Sequence, residues 1–216
     1  GHGESLFTNP GQDMSALAKT RSPETDTNVI SAPILVEVTR GGMVESRHAG
    51  SVAVVDPRGK VVLACGDIDQ AIYPRSAIKP IQALPLVESG AAEAHRLSDV
   101  EIALACASHN GEARHVAAVL TWLGRIGCTV DDLECGGHLP KLESDIEALF
   151  RGGGAVTALH NNCSGKHTGF LTLAKHMGWP TKGYIKAEHP VQQAALKALE
   201  EMCGESLSGG ARGIDG

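Results

Sequence analysis

Long apolar runs are missing from this chain of 216 residues, and with them any segment of the roughly 20 mostly apolar residues that a membrane-crossing helix requires. The N-terminus also lacks the basic-then-apolar opening of a secretory signal, so a cytoplasmic location is expected. No basic stripe is present. Lys and Arg number 19 against 25 Asp and Glu, for a formal charge of −6, and their scatter argues against nucleic acid or an anionic membrane surface as the main partner. The six cysteines (65, 106, 128, 135, 163 and 203) form no Cys-x-x-Cys pair. Several lie in apolar stretches, which suits reduced thiols better than a disulfide framework. Gly152-Gly153-Gly154 lacks the Lys-Ser/Thr ending of a phosphate loop and reads as a flexible turn. Internal repeats are absent and aromatic residues make up only 3%. What remains, 42% apolar and 20% charged residues, is a soluble globular composition with material for one sizeable core. Twenty-six glycines add many tight turns.

Residues 1–33 mix Gly, Pro, Ser, Thr and charges without periodicity and read as a flexible leader, part of it, upstream of Met14, foreign to the natural chain. β-Branched runs at 34–38 and 51–55 predict strands. Asp56-Pro57-Arg58-Gly59-Lys60 is a turn signal before a third run at 61–65, so an antiparallel hairpin is expected there. Helical periodicity follows over about 76–89, 98–105, 112–126, 143–150, 165–177 and 190–203, the second opening on the capping box Ser98-Asp99-Val100-Glu101. Strands first and helices after predict an α+β or α/β layered enzyme, an antiparallel sheet with a helical lobe, and not a Rossmann unit.

The sharpest chemical signal is Ser76-x-x-Lys79, followed by Ser108-His109-Asn110, a Ser-x-Asn step. A serine hydroxyl is a poor nucleophile at neutral pH and needs a base, and a lysine serves only where its ammonium is partly unprotonated. On a helix, three residues is nearly one turn, so Ser76 and Lys79 share a face, which spacings of one or two would not achieve. Ser-x-x-Lys is also common on helix surfaces, with serine as a cap and lysine solvated. Here Ser76 sits where the helix over 76–89 should begin, and Pro80 fits only near a first turn.

Asn161-Asn162-Cys163-Ser164-Gly165-Lys166-His167-Thr168-Gly169 is dense in polar and reactive groups between an apolar run and a helix. Cys163 and Lys166 are again three apart, with His160 and His167 nearby as more ordinary metal ligands. Spacing alone favours a buried thiol beside a solvated lysine, since one Cys with one His makes no zinc motif. Lys166-His167-Thr168-Gly169 is not Lys-Thr-Gly. His95, His115 and His189 are expected at the surface.

Taken together, Gly41-Gly42-Met43-Val44-Glu45, Arg75 to Pro80, Ala107 to Glu112, Asn161 to His167 and Gly213-Ile214-Asp215-Gly216 resemble the Rhizobium-type (class 3) L-asparaginases, over about residues 34–216. The resemblance implies a fold similar to serine β-lactamases and glutaminases, and hydrolysis of L-asparagine to L-aspartate and ammonia. It makes Ser76 the nucleophile, Lys79 its base and Ser108 a second serine in the proton relay. Arg75, His109, Asn110 and Asn162 become candidates for the substrate's charged end. It also implies a supporting zinc held by Cys163 and Lys166, with Asp215 beside it and a second cysteine past Gly216, so residues 34–216 are expected to be the N-terminal part of a longer domain. A homodimer is implied as well. Related readings of the same residues are a glutaminase, a β-lactam-acting enzyme or a non-catalytic ligand-binding module.

Overall fold

The computed structural model describes residues 32–207, 209, 210 and 213, so most of the expected leader lies outside the described residues. The chain divides into two compact units that meet between Tyr73 and Pro74.

In the first unit, β1 (Ile34–Arg40) pairs antiparallel with β2 (Met43–Ala49), and β3 (Val52–Val55) pairs antiparallel with β4 (Val61–Cys65). The expected antiparallel sheet is, within this unit, two two-stranded sheets. The β1–β2 turn needs positive φ at both central positions, which Gly41 (55°) and Gly42 (81°) supply without steric cost. The second turn is held by Asp56, whose carboxylate accepts the backbone N–H of Arg58 and of Lys60 at 2.9 Å each. Strand β2 was not expected because Glu45, Ser46, Arg47 and His48 break any β-branched run. Its pairing uses charge instead: Arg47 sits opposite Glu37 in register and donates to it at 2.8 Å.

The second unit is helical. The expected continuous helix over 76–89 is in fact a 3₁₀ turn (Arg75–Ile78), then α1 (Lys79–Gln82) and α2 (Leu84–Glu88). Pro80 and Pro85 cause the breaks: each occupies the first turn of a short helix, where its missing N–H costs nothing. After α3 (Ala91–Ala94), which the sequence did not announce, come α4 (Asp99–Cys106) and α5 (Ala113–Arg125). Next are α6 (Glu143–Arg151), α7 (Ser164–His176) and α8 (Pro190–Cys203). Helix α7 is central, buried on every side from Ser164 to Ala174 except at Lys166, and packs against α2, α3, α4, α5 and α8. Its core partners include Leu86, Leu104, Val119, Trp122 and Leu123. The three histidines expected at the surface are all at least partly covered: His189 is buried as the N-cap of α8, accepting Val191 N–H, His115 is half-buried against His109, and His95 is half-buried beside His176. No helix of the described residues is long and apolar enough to cross a membrane.

Helix α4 delivers Ser108 to the site, and its anchoring is electrostatic as well as apolar. The expected capping box is present, Ser98 accepting from Glu101 N–H while the Glu101 carboxylate accepts from Ser98 N–H. The same carboxylate takes two parallel bonds from Arg125 of α5, at 2.7 and 2.9 Å. Burial pushes the Glu101 carboxyl up, but the Arg125 guanidinium and the two Ser98 donors outweigh it and hold it below the usual carboxylate range. A folded pKa below the unfolded one gives stability that is complete above the unfolded value and disappears as pH falls through the folded one. Glu101→Gln should therefore cost about 1–2 kcal/mol at neutral pH, the low end for bonds to charged groups because Arg125 is partly exposed. The deficit relative to wild type should shrink in acid urea melts. Equal deficits at pH 7 and at the acid end would contradict this account.

Candidate active site

Ser76, Lys79 and Ser108 are brought together in the second unit. Ser76 lies in the 3₁₀ turn and Lys79 opens α1. Residues three apart eclipse in a 3₁₀ helix, so the one-face relation inferred from spacing survives the loss of the long helix. Lys79 is only 2% exposed, whereas Ser76 and Ser108 face solvent. Its Nζ donates to Ala107 O at 3.0 Å and to Ser108 Oγ at 2.5 Å, and Ser108 Oγ donates to Ser76 Oγ at 3.2 Å. Among the described residues no carboxylate pairs with Lys79, and no hydrogen bond joins it directly to Ser76. The lysine reaches the exposed serine through Ser108. Arg75, immediately before Ser76, has φ of 47°, a left-handed conformation rare outside glycine. Such strain persists where surrounding structure enforces it, and it concentrates at functional sites.

The second half of the site is the turn from Asn161 into α7. Asn161 shapes it, donating to Gly136 O at 2.6 Å while its Oδ1 accepts Cys163 N–H at 2.8 Å. Asn162 accepts His109 N–H on its backbone oxygen at 3.0 Å, and its side-chain oxygen accepts from Cys163 Sγ at 3.2 Å. The chain segment after Ser108 is thus bonded to the segment before α7. Asn110 is half-buried and its carbonyl accepts Lys141 N–H. His109, expected at the substrate's charged end, is buried, with both ring nitrogens bonded inside the protein, to Gly111 N–H and to Ser164 Oγ. Burial, then the charges of His115, Lys79 and His160, push its pKa down to about 4, so the ring is neutral at physiological pH.

Close packing makes this meeting possible. A Cβ on Gly165 would stand 2.5 Å from Leu104 O and 2.7 Å from Leu104 C, so only glycine lets α7 touch the α4 backbone two residues before Cys106. Cys163 is buried and Lys166 is half-buried, its Nζ 5.8 Å above the Phe170 ring. Beside them lies a recess of about 110 Å³ lined by Gln82, Lys166, His167, Phe170, Ile185 and Gln192.

Sequence reading missed the groups that fix His167. Glu134 N–H donates to Tyr184 Oη at 2.7 Å, and the same hydroxyl shares a hydrogen bond with His167 Nδ1 at 2.9 Å. Burial, then Lys166 and Lys79, push His167 down to about 3, and burial pushes Tyr184 up. Cys135 was also passed over. Burial and the neighbouring Cys163 raise its thiol to about 11, Lys166 opposing them. Nothing in the spacing of Glu134, Cys135 and Tyr184 relative to the Asn161 turn signals their convergence.

A family model described as L-asparaginase II matches residues 36–216. The chain belongs to the L-asparaginase II family. No curated protein matches the chain. Membership points to hydrolysis of asparagine, and the Ser108 and Asn161 segments both lie within the matched residues of this asparaginase-family chain. Among the described residues no group of three His, Cys, Asp or Glu side chains could hold an ion. Cys163 and Lys166 are two of the expected zinc donors, and Asp215 lies outside the described residues.

Proposed function

We propose that this chain hydrolyses the side-chain amide of L-asparagine with Ser76 as nucleophile, Lys79 as base and Ser108 as the hydroxyl between them. The observation that carries this reading is the unbroken bond path from Lys79 Nζ through Ser108 Oγ to the exposed Ser76 Oγ in a member of an asparaginase family. The transfer requires both bonds to run the other way, the hydroxyls turning so that Ser76 donates to Ser108 and Ser108 to an unprotonated Lys79 amine. As Ser76 Oγ adds to the amide carbon, its proton passes to Ser108 while the Ser108 proton moves to Lys79 Nζ. The return of that proton through the same path allows ammonia to leave and an aspartyl ester to remain on Ser76. Water, deprotonated along the same path, then releases aspartate. Arg75, Asn110 and Asn162 are the proposed contacts for the α-carboxylate and α-amino group. A serine β-lactamase-like fold, a cytoplasmic site of action and a homodimer belong to the same reading, the last testable by sedimentation of the full chain.

The reading is tested by ammonia release from asparagine, glutamine and a chromogenic β-lactam side by side. Asparagine should lead glutamine in kcat/KM by about 10–200-fold, the discrimination one methylene supports, because the longer chain moves the amide off Ser76 when its charged end is held. Equal efficiency on both amides counts against the pocket, and preference for the lactam against the substrate class.

We propose further that Cys163 and Lys166, with Asp215, hold a supporting zinc. When bound, such an ion polarises and orients groups of the ligand beside it. Lysine must be unprotonated to ligate, so retention should weaken as pH falls. Metal analysis of the purified protein should find zinc, lost in Cys163→Ser. Unchanged metal content in that variant rules the site out.

A further inference from the structure

We propose that His109 is a positioning residue of this reaction, a clamp that fixes Ser108 against the Asn162–Ser164 turn, and not a contact for substrate. The proposal rests on the Ser76–Ser108–Lys79 reading above. A backbone N–H only donates, so the bond from Gly111 N–H at 3.1 Å makes Nδ1 of His109 an acceptor without a proton. The ring proton is then on Nε2, which donates to Ser164 Oγ at 2.8 Å. Ser164, itself fully buried, spends its hydroxyl proton on Leu159 O at 3.0 Å. Every polar atom of the ring is used, and the direction of each bond is fixed by the next. On the backbone side, His109 N–H donates to Asn162 O at 3.0 Å. The residue following Ser108 is therefore fastened to the start of α7 at main chain and side chain alike.

The segment has little room to adjust around a lost bond. Gly111 turns at φ of 75°, and a Cβ there would come within 3.2 Å of Pro140 Cα and 3.4 Å of His160 O. Asn110 O is held by Lys141 N–H at 2.9 Å. For a substrate to recruit the ring of His109, it would have to break the Gly111 or the Ser164 bond and leave a buried polar group unpaired. The ring has no free nitrogen to offer a ligand. What it controls is where Ser108 Oγ stands between Lys79 Nζ and Ser76 Oγ, and misplacement there acts on chemistry and not on binding.

The test is steady-state kinetics of the full chain with His109→Asn, whose side-chain oxygen can take the Nδ1 role, and His109→Gln, whose amide N–H can take the Nε2 role. Each keeps one bond and loses the other. Both should lower kcat by about 10–100-fold, the effect of displacing a reacting group by about 1 Å, with KM unchanged within about threefold. A raised KM with kcat retained would make His109 a substrate contact and overturn the proposal. Ser164→Ala, which removes only the clamp's far partner, should lower kcat likewise and add nothing when combined with His109→Asn, which has already lost that bond; additive losses would also overturn it. If the full chain releases no ammonia from asparagine, the functional reading fails, and the clamp is then read from Ser76 itself. Its labelling by a serine-directed fluorophosphonate should slow in His109→Gln and Ser164→Ala, and unchanged labelling would overturn the clamp.

Discussion

Ser108→Ala should reduce ammonia release from asparagine nearly as far as Ser76→Ala or Lys79→Met, by several orders of magnitude in each case, as for members of a unit that act together. A serine-lysine spacing on one face suggests a base that touches its nucleophile, and the resemblance adds Ser108 as a second serine in the relay. The geometry gives Ser108 a larger part: Lys79 Nζ donates to Ser108, and Ser108 to Ser76. Removing one hydroxyl therefore breaks the only bonded path between the proposed base and nucleophile among the described residues. Combining Ser108→Ala with Lys79→Met should cost little beyond either alone. Turnover in Ser108→Ala above about a tenth of wild type would mean that Lys79 serves Ser76 without it and would sink the relay; so large a residue is far outside the losses that linked catalytic groups show.

Gly165→Ala should be among the most damaging small substitutions in the chain, although it adds one methyl to a helix that alanine otherwise favours. The added Cβ would meet Leu104 O at 2.5 Å and Leu104 C and Cβ at 2.7 Å each. Two of the clashing atoms belong to the backbone of α4 and cannot rotate away, so α4 and α7 must separate. Overpacking of this kind costs about 1–3 kcal/mol or more. Separation of these helices also moves Ser108, which follows α4, away from the turn carrying Cys163. The variant should lose urea resistance and, where still folded, kcat. Gly124→Ala, in α5 with open space at its Cβ, is the matched control. It should be neutral or stabilising by about 0.5–1 kcal/mol. A Gly165→Ala melt indistinguishable from the Gly124→Ala melt would show that the α4–α7 contact is slack.

The residues of the candidate site that the sequence could single out are those whose chemistry is written in short spacings. Ser76-x-x-Lys79, the Ser108 step and the Asn161–Gly169 cluster all fall in one unit, and α4 to α8 begin and end close to where caps, periodicity and prolines set them. The long helix over 76–89 failed because two prolines, Pro80 and Pro85, each restart the backbone, and periodicity carries no record of that. Strand β2 was hidden by its charges, which pair across the hairpin instead of breaking it. The role expected for His109 came from its place beside Ser108. Its burial and its bond to Ser164 span 55 residues, a relation that no local pattern contains. Glu134 and Tyr184, 50 residues apart, escaped for the same reason.

Those separations have a further meaning. The bonds that assemble the site close loops of 29 residues between Lys79 and Ser108, 32 between Ser76 and Ser108, and 55 between His109 and Ser164. Closing loops of this size costs conformational entropy that the relay's few hydrogen bonds, each worth about 1 kcal/mol net, do not repay. The packing of α4 and α5 on α7 repays it. The Ser-x-x-Lys step is therefore not a portable module: a peptide containing it, however helical, has no relay, and a scaffold that received it would also have to receive the contact at Gly165.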